Sequence, residues 1–105
     1  LGALDAACQE GVYAIGVDAD QSFAGDCVIT SALKPLEIAV FETIKSAQEG
    51  TFEGGTNAFF GIQDYPEAAL LAPFTADVPQ EVQDAAATAT EQLISGEIDP
   101  PATFD

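Results

Sequence analysis

Two short apolar runs, each ending in charge, constrain this chain more than any other feature. Tyr13-Ala14-Ile15-Gly16-Val17 leads straight into Asp18-Ala19-Asp20-Gln21, and Val28-Ile29-Thr30-Ser31-Ala32-Leu33 leads into Lys34-Pro35. An apolar run bounded by turn residues is the pattern of a buried strand. In open α/β sheets, ligands lie in the crevice outside the carboxyl ends of the strands. Asp18 and Lys34 are therefore expected as opposite charges aimed into one crevice.

The rest of the chain supplies the layers such a sheet needs. Residues 1–10 have the spacing of an amphipathic helix, stopped by Gly11, and 12–17 form the first strand. The polar loop 19–26 is shorter than the usual crossover between parallel strands, so that connection must be abbreviated. Pro35 suits the first position of a helix in which Leu36, Ala39, Val40, Ile44 and Ala47 recur at helical spacing, ended by Gly50. Glu42 and Lys45, three apart, are placed to pair weakly on it. Residues 57–63, with Phe59, Phe60 and Ile62, read as a third strand, and 70–74 as a packed loop or edge strand because of Pro73. A last helix starts at Pro79, buries Val82, Ala86, Ala89 and Leu93, and ends at Gly96; 99–105 is a tail. This order predicts the α/β class, three-layered with a mostly parallel sheet. Phe41, Phe52, Phe59, Phe60 and Phe74 fall in apolar contexts and are expected in the core.

Charge excludes several function classes. Eighteen acidic residues face two lysines, with no Arg or His, giving a formal net charge of −16. Nucleic acid and anionic membrane surfaces would be repelled, so neither is expected as a partner. Dispersed acids with so few cations suit concentrated salt, where self-repulsion is screened; a halophilic source is expected. Without histidine there is no Ser–His or Cys–His nucleophile system. Asp18 and Asp20, alternate residues of an extended segment, point to opposite sides and make a poor glycosidase pair. The chain reads as non-enzymatic, with no cofactor and no metal: Asp18 and Asp20 alone lack the further oxygen ligands magnesium needs. Cys8 and Cys27 read as buried free thiols acting as small hydrophobes rather than as a disulfide, and no zinc site is expected.

A carboxylate at a strand end suits vicinal hydroxyls, which would make Asp18 a ligand-binding residue; the plainer alternative is a turn aspartate bonding its own backbone. Lys34, one of only two cations, suits a ring or sugar acceptor, or a pair with Asp18; the plainer alternative is a stem packed at a helix start. Asp20 and Gln21 flank the site and either shape the loop or face the hinge, with structural roles expected of both.

Those residues also carry a resemblance. Ile15-Gly16-Val17-Asp18-Ala19-Asp20-Gln21 and Thr30-Ser31-Ala32-Leu33-Lys34, followed in order by Ala39-Val40-Phe41-Glu42-Thr43-Ile44, Gly50-Thr51-Phe52-Glu53-Gly54-Gly55, Leu71-Ala72-Pro73-Phe74, Val78-Pro79-Gln80-Glu81-Val82 and Ile94-Ser95-Gly96-Glu97-Ile98, resemble the basic-membrane-lipoprotein family of solute-binding proteins. These serve ABC transporters and include purine-nucleoside receptors. The resemblance implies a type I periplasmic-binding-protein fold, whose two lobes close on a nucleoside-like small molecule, with Asp18 on the sugar and Lys34 facing the ligand. It implies an ABC permease as partner. It also implies an exported location, at the cell surface or in the periplasm, with a lipid anchor outside this chain. Family members are much longer, so residues 1–105 are expected to be roughly the C-terminal third, part of one lobe, with Leu1 an internal residue. Where the family tends to have glycines before Leu-Ala-Pro, this chain has Ala68, Ala69 and Leu70, so no site residue is carried across that segment. The alternative is an independent acidic α/β domain with an interaction or structural role and no small-molecule ligand.

Overall fold

Glycine and proline set the helix ends. The computed structural model describes residues 1–66 and 68–100. Helix α1 (Gly2–Gln9) precedes Gly11; α2 (Leu36–Glu49) follows Pro35; α3 (Gln80–Ser95) follows Pro79. Gly50 and Gly96 close α2 and α3 in the left-handed region, at φ 75° and 74°, where a side chain would be strained. Strands β1 (Ala14–Asp18) and β2 (Val28–Leu33) pair in parallel, from Ile15 opposite Thr30 to Asp18 opposite Leu33. The connection between them holds only a 3-10 turn, Ser22–Ala24, the abbreviated crossover that the loop length requires. Pairing in parallel brings the ends of both strands, with Asp18 and Lys34, to one edge.

The other side of β2 corrects one expectation. Residues 57–63 form no strand; the backbone turns at 62–64. The edge of β2 is taken instead by 70–75, running antiparallel. Leu33 N–H donates to the Leu70 carbonyl (2.8 Å), Ala72 N–H to Ser31 (2.9 Å) and Thr75 N–H to Ile29 (3.0 Å). Pro73 has no N–H to give, and the pairing steps by one residue across it, which only an edge segment tolerates. Thr30 Oγ1 adds a bond to the Ala72 carbonyl at 2.7 Å.

A second correction concerns the cysteines. Cys8 and Cys27 form a disulfide, their Cα atoms 5.2 Å apart, so they are not free thiols. Residue 27 immediately precedes β2, and α1 packs beside β1; the short crossover leaves the two cysteines adjacent.

Apolar burial is thin. Among the described residues, the buried hydrophobic ones are Val28, Ala68, Ala72 and Val78, joined by Thr30 and Ser31. β1 is not the buried strand expected, since Ile15 and Val17 are more than half exposed. Leu36, Val40 and Ile44, the apolar face of α2, are exposed too, and on α3 Val82 is exposed while Ala86, Ala89 and Leu93 are half-buried. None of the five phenylalanines expected in the core is buried: Phe41, Phe52 and Phe59 are exposed, Phe60 and Phe74 half-buried. The chain's accessible surface is 7685 Å², about two-fifths more than the roughly 5,500 Å² of a compact monomer of this mass. Its radius of gyration of 16.7 Å compares with about 13 Å for a compact domain of this length.

The amphipathic pattern is thus present while the second layer that would cover it is not among the described residues. Alone, the 105-residue polypeptide should associate or unfold with poor cooperativity, because such apolar faces bury themselves against anything available. Sedimentation and urea unfolding measure this; a strict monomer with a sharp two-state transition would mark a complete domain instead.

Candidate functional site

Asp18 is the last residue of β1 and has φ 74°, the one described non-glycine residue with positive φ. The Ala19 N–H returns to the Val17 carbonyl at 3.0 Å, so Asp18 stands at the apex of a tight γ-turn. Asparagine and aspartate tolerate this region better than other side chains, which is one reason an aspartate fits the apex. Lys34 directly follows β2. Pro35, at φ −77° and ψ 63°, forms an inverse γ-turn closed by Leu36 N–H on the Lys34 carbonyl at 2.8 Å. Two tight turns therefore end two adjacent strands and face each other.

They are joined twice. Lys34 N–H donates to the Asp18 carbonyl at 3.0 Å, and Lys34 Nζ lies 2.6 Å from Asp18 Oδ1. The side chains are 63% and 57% exposed, so the pair stays in water, where such a bridge contributes about 0.2–1 kcal/mol. This is a pair open to a ligand rather than one sealed in the core. It borders a cavity of about 390 Å³, also lined by Pro35, Ile38, Ala68 and Ala69.

The neighbouring polar groups hold the backbone. Asp20 Oδ1 accepts from Ser22 N–H at 2.9 Å, an Asx turn that leads into the 3-10 turn. Gln21 Oε1 accepts from Val17 N–H at 2.9 Å, and Gln21 N–H donates to Ser31 Oγ at 3.0 Å. Both residues shape the loop, as their position suggested. Among the described residues no group of His, Cys, Asp and Glu could hold a metal ion. The other lysine, Lys45, sits on α2 at 3.3 Å from Glu42; that carboxylate holds its ammonium above the usual lysine value.

The structure brings Asp18 and Lys34 together where the strand pattern aimed them. Sequence reading missed Ala68 and Ala69 on the cavity wall and the buried Ser31 that holds Gln21. Alanine carries no chemical signal, and a serine in an apolar run reads as a tolerated polar residue. Only the antiparallel return of 70–75 puts residues 68 and 69 beside Lys34.

No described helix is long and apolar enough to cross a membrane. Against known proteins, residues 1–69 match the family model of Bmp, the PnrA-like ABC transporter substrate-binding proteins. Among solved structures, the chain is similar to a transcriptional activator of the comK gene from Bacillus halodurans, at 28% identity and a TM-score of 0.74. The match covers 93% of this chain and 34% of that one, so the chain spans about a third of the length of its solved relative.

Proposed function

The chain belongs to the PnrA-like family of ABC transporter substrate-binding proteins, and from that premise we propose that it is part of a solute-binding protein that captures a nucleoside-like small molecule for an ABC importer. The observation that carries the reading is the Asp18–Lys34 pair, exposed at the border of a cavity at the ends of two parallel strands. A carboxylate offers about four acceptor positions, so Asp18 can keep Lys34 on one oxygen and receive ribose hydroxyls on the other. Lys34 supplies a donor to a ring or sugar oxygen. Binding energy would then favour the closed arrangement of two lobes over the open one.

The uncovered apolar faces support a two-lobe protein of which this chain is one portion. The excess of about 2,000 Å² over a compact monomer is of the size that obligate contacts bury. The Cys8–Cys27 disulfide supports an exported protein, because disulfides persist in oxidising compartments. Lipid anchoring and a permease partner complete the proposal as family expectations. The formal charge of −16 supports a salt-rich surrounding. A role in transcription, like that of the similar Bacillus halodurans protein, is not proposed, since two cations offer little to nucleic-acid phosphates.

The test is a four-way calorimetric cycle on the full-length protein, with guanosine and 2′-deoxyguanosine against wild type and Asp18→Ala. Each charge-assisted bond contributes about 1.5–3 kcal/mol, so Asp18→Ala or Lys34→Ala should weaken guanosine binding roughly ten- to a hundredfold. The deoxy analogue should lose affinity in wild type and lose little more in Asp18→Ala, because both deletions remove one contact. If the two effects simply add, Asp18 does not hold the sugar and is a turn residue only.

A further inference from the structure

We propose that Gln21 is a positioning residue: bonded to Val17 and Ser31, it holds Asp18 in the left-handed turn that sets its carboxylate against Lys34. A side chain at positive φ is strained and persists where its surroundings over-determine it. The surroundings of Asp18 do so through Val17. The Val17 carbonyl takes Ala19 N–H and closes the turn at 3.0 Å, while the Val17 N–H is held by Gln21 Oε1 at 2.9 Å. Both polar groups of the residue before the apex are thereby fixed. Gln21 is itself fixed from behind, its N–H on Ser31 Oγ at 3.0 Å, and Ser31 is 0% exposed. The loop is pinned to both strands at once.

Gly16 makes room for this arrangement. It pairs with Ser31 across the ladder, and a Cβ there would overlap Ser31 Oγ and stand 2.8 Å from Gln21 Cβ. The site pair therefore has a support built from Gly16, Gln21 and Ser31, none of which makes a side-chain hydrogen bond to Asp18 or Lys34. Gln21→Glu keeps an acceptor oxygen at the same reach, whereas Gln21→Leu keeps the bulk and removes the acceptor.

The effect on binding rests on the ligand reading above; the effect on the turn does not. The first measurement is therefore ligand-free: amide hydrogen exchange of Val17, Lys34 and Ala14 in full-length protein. The Lys34 N–H bonds the Asp18 carbonyl and reports the turn, while the Ala14 N–H bonds the Cys27 carbonyl at the opposite end of β1. Gln21→Leu should speed exchange at Val17 and Lys34 roughly tenfold and leave Ala14 unchanged, and Gln21→Glu should restore both. Unchanged Lys34 exchange, or an equal rise at Ala14, overturns the proposal. The second measurement is guanosine calorimetry: Gln21→Leu should weaken binding roughly tenfold in wild type and no further in Asp18→Ala. Equal losses in both backgrounds also overturn it, since Gln21 would then act without Asp18. If the exchange pattern holds while Asp18→Ala leaves guanosine binding intact, the positioning role stands and the ligand reading is what fails.

Discussion

Reducing the Cys8–Cys27 disulfide should lower the stability of this fold by about 3 kcal/mol, on the order of a hundredfold in its folding equilibrium. The bond joins residues 19 apart in sequence, and the chain-entropy model for a loop of that size gives this figure. The closed loop contains all of β1, the Asp18 turn and the connection through Gln21, so its loss frees the segment that carries half the site. Gly25 sets a second, independent test. It has φ 153°, and a Cβ there would stand 2.7 Å from Cys8 Sγ. Gly25→Ala should therefore reproduce part of the loss with both cysteines intact. Urea unfolding of the full-length protein with and without reductant, beside the Cys8→Ser/Cys27→Ser double variant, measures it. A midpoint indifferent to reductant would show the bond to be structurally idle.

The cysteines also show where sequence reading stops. Helix ends were legible because Gly11, Gly50, Gly96, Pro35 and Pro79 act locally, and each element end falls within a residue or two of them. The meeting of Asp18 and Lys34 was legible because each directly follows an apolar run read as a strand of a mostly parallel sheet, whose carboxyl ends share one side. The disulfide was not, since it depends on how α1 folds back on the crossover, and nothing in the spacing of Cys8 and Cys27 fixes that. Export, which the family resemblance implied, was the available signal that favoured a bond. The strand expected at 57–63 failed for another reason. Its phenylalanines satisfy a strand pattern, but 70–75 takes the edge of β2 and residues 57–63 pair with neither strand. Amphipathic spacing likewise placed apolar residues on α2 without saying what covers them; Leu36, Val40, Phe41 and Ile44 lie exposed. Spacing reports which side is apolar, while burial belongs to the partner surface.

Stability should also rise steeply with salt. Eighteen carboxylates against two lysines leave a formal charge of −16, and the structure pairs both lysines with carboxylates, Lys34 with Asp18 and Lys45 with Glu42. The remaining acids repel one another, more strongly in the folded chain than in the longer, expanded unfolded one. Going from 0.1 M to 1 M salt shortens the screening length from about 10 Å to about 3 Å. For a body of this charge and size that removes several kcal/mol of repulsion from the folded state and less from the unfolded, a net gain of about 2 kcal/mol. The unfolding midpoint should climb by roughly 10 °C. Thermal melts in potassium chloride would follow it, and a flat or falling midpoint would remove the screening argument. Salting-out predicts a rise as well, so the variant Glu10→Gln/Glu53→Gln/Glu91→Gln separates the two: all three are exposed. Repulsion grows with the square of the charge, so neutralising three of the net sixteen should flatten the salt slope by about a third. Salting-out, which acts on apolar surface, would leave that slope unchanged.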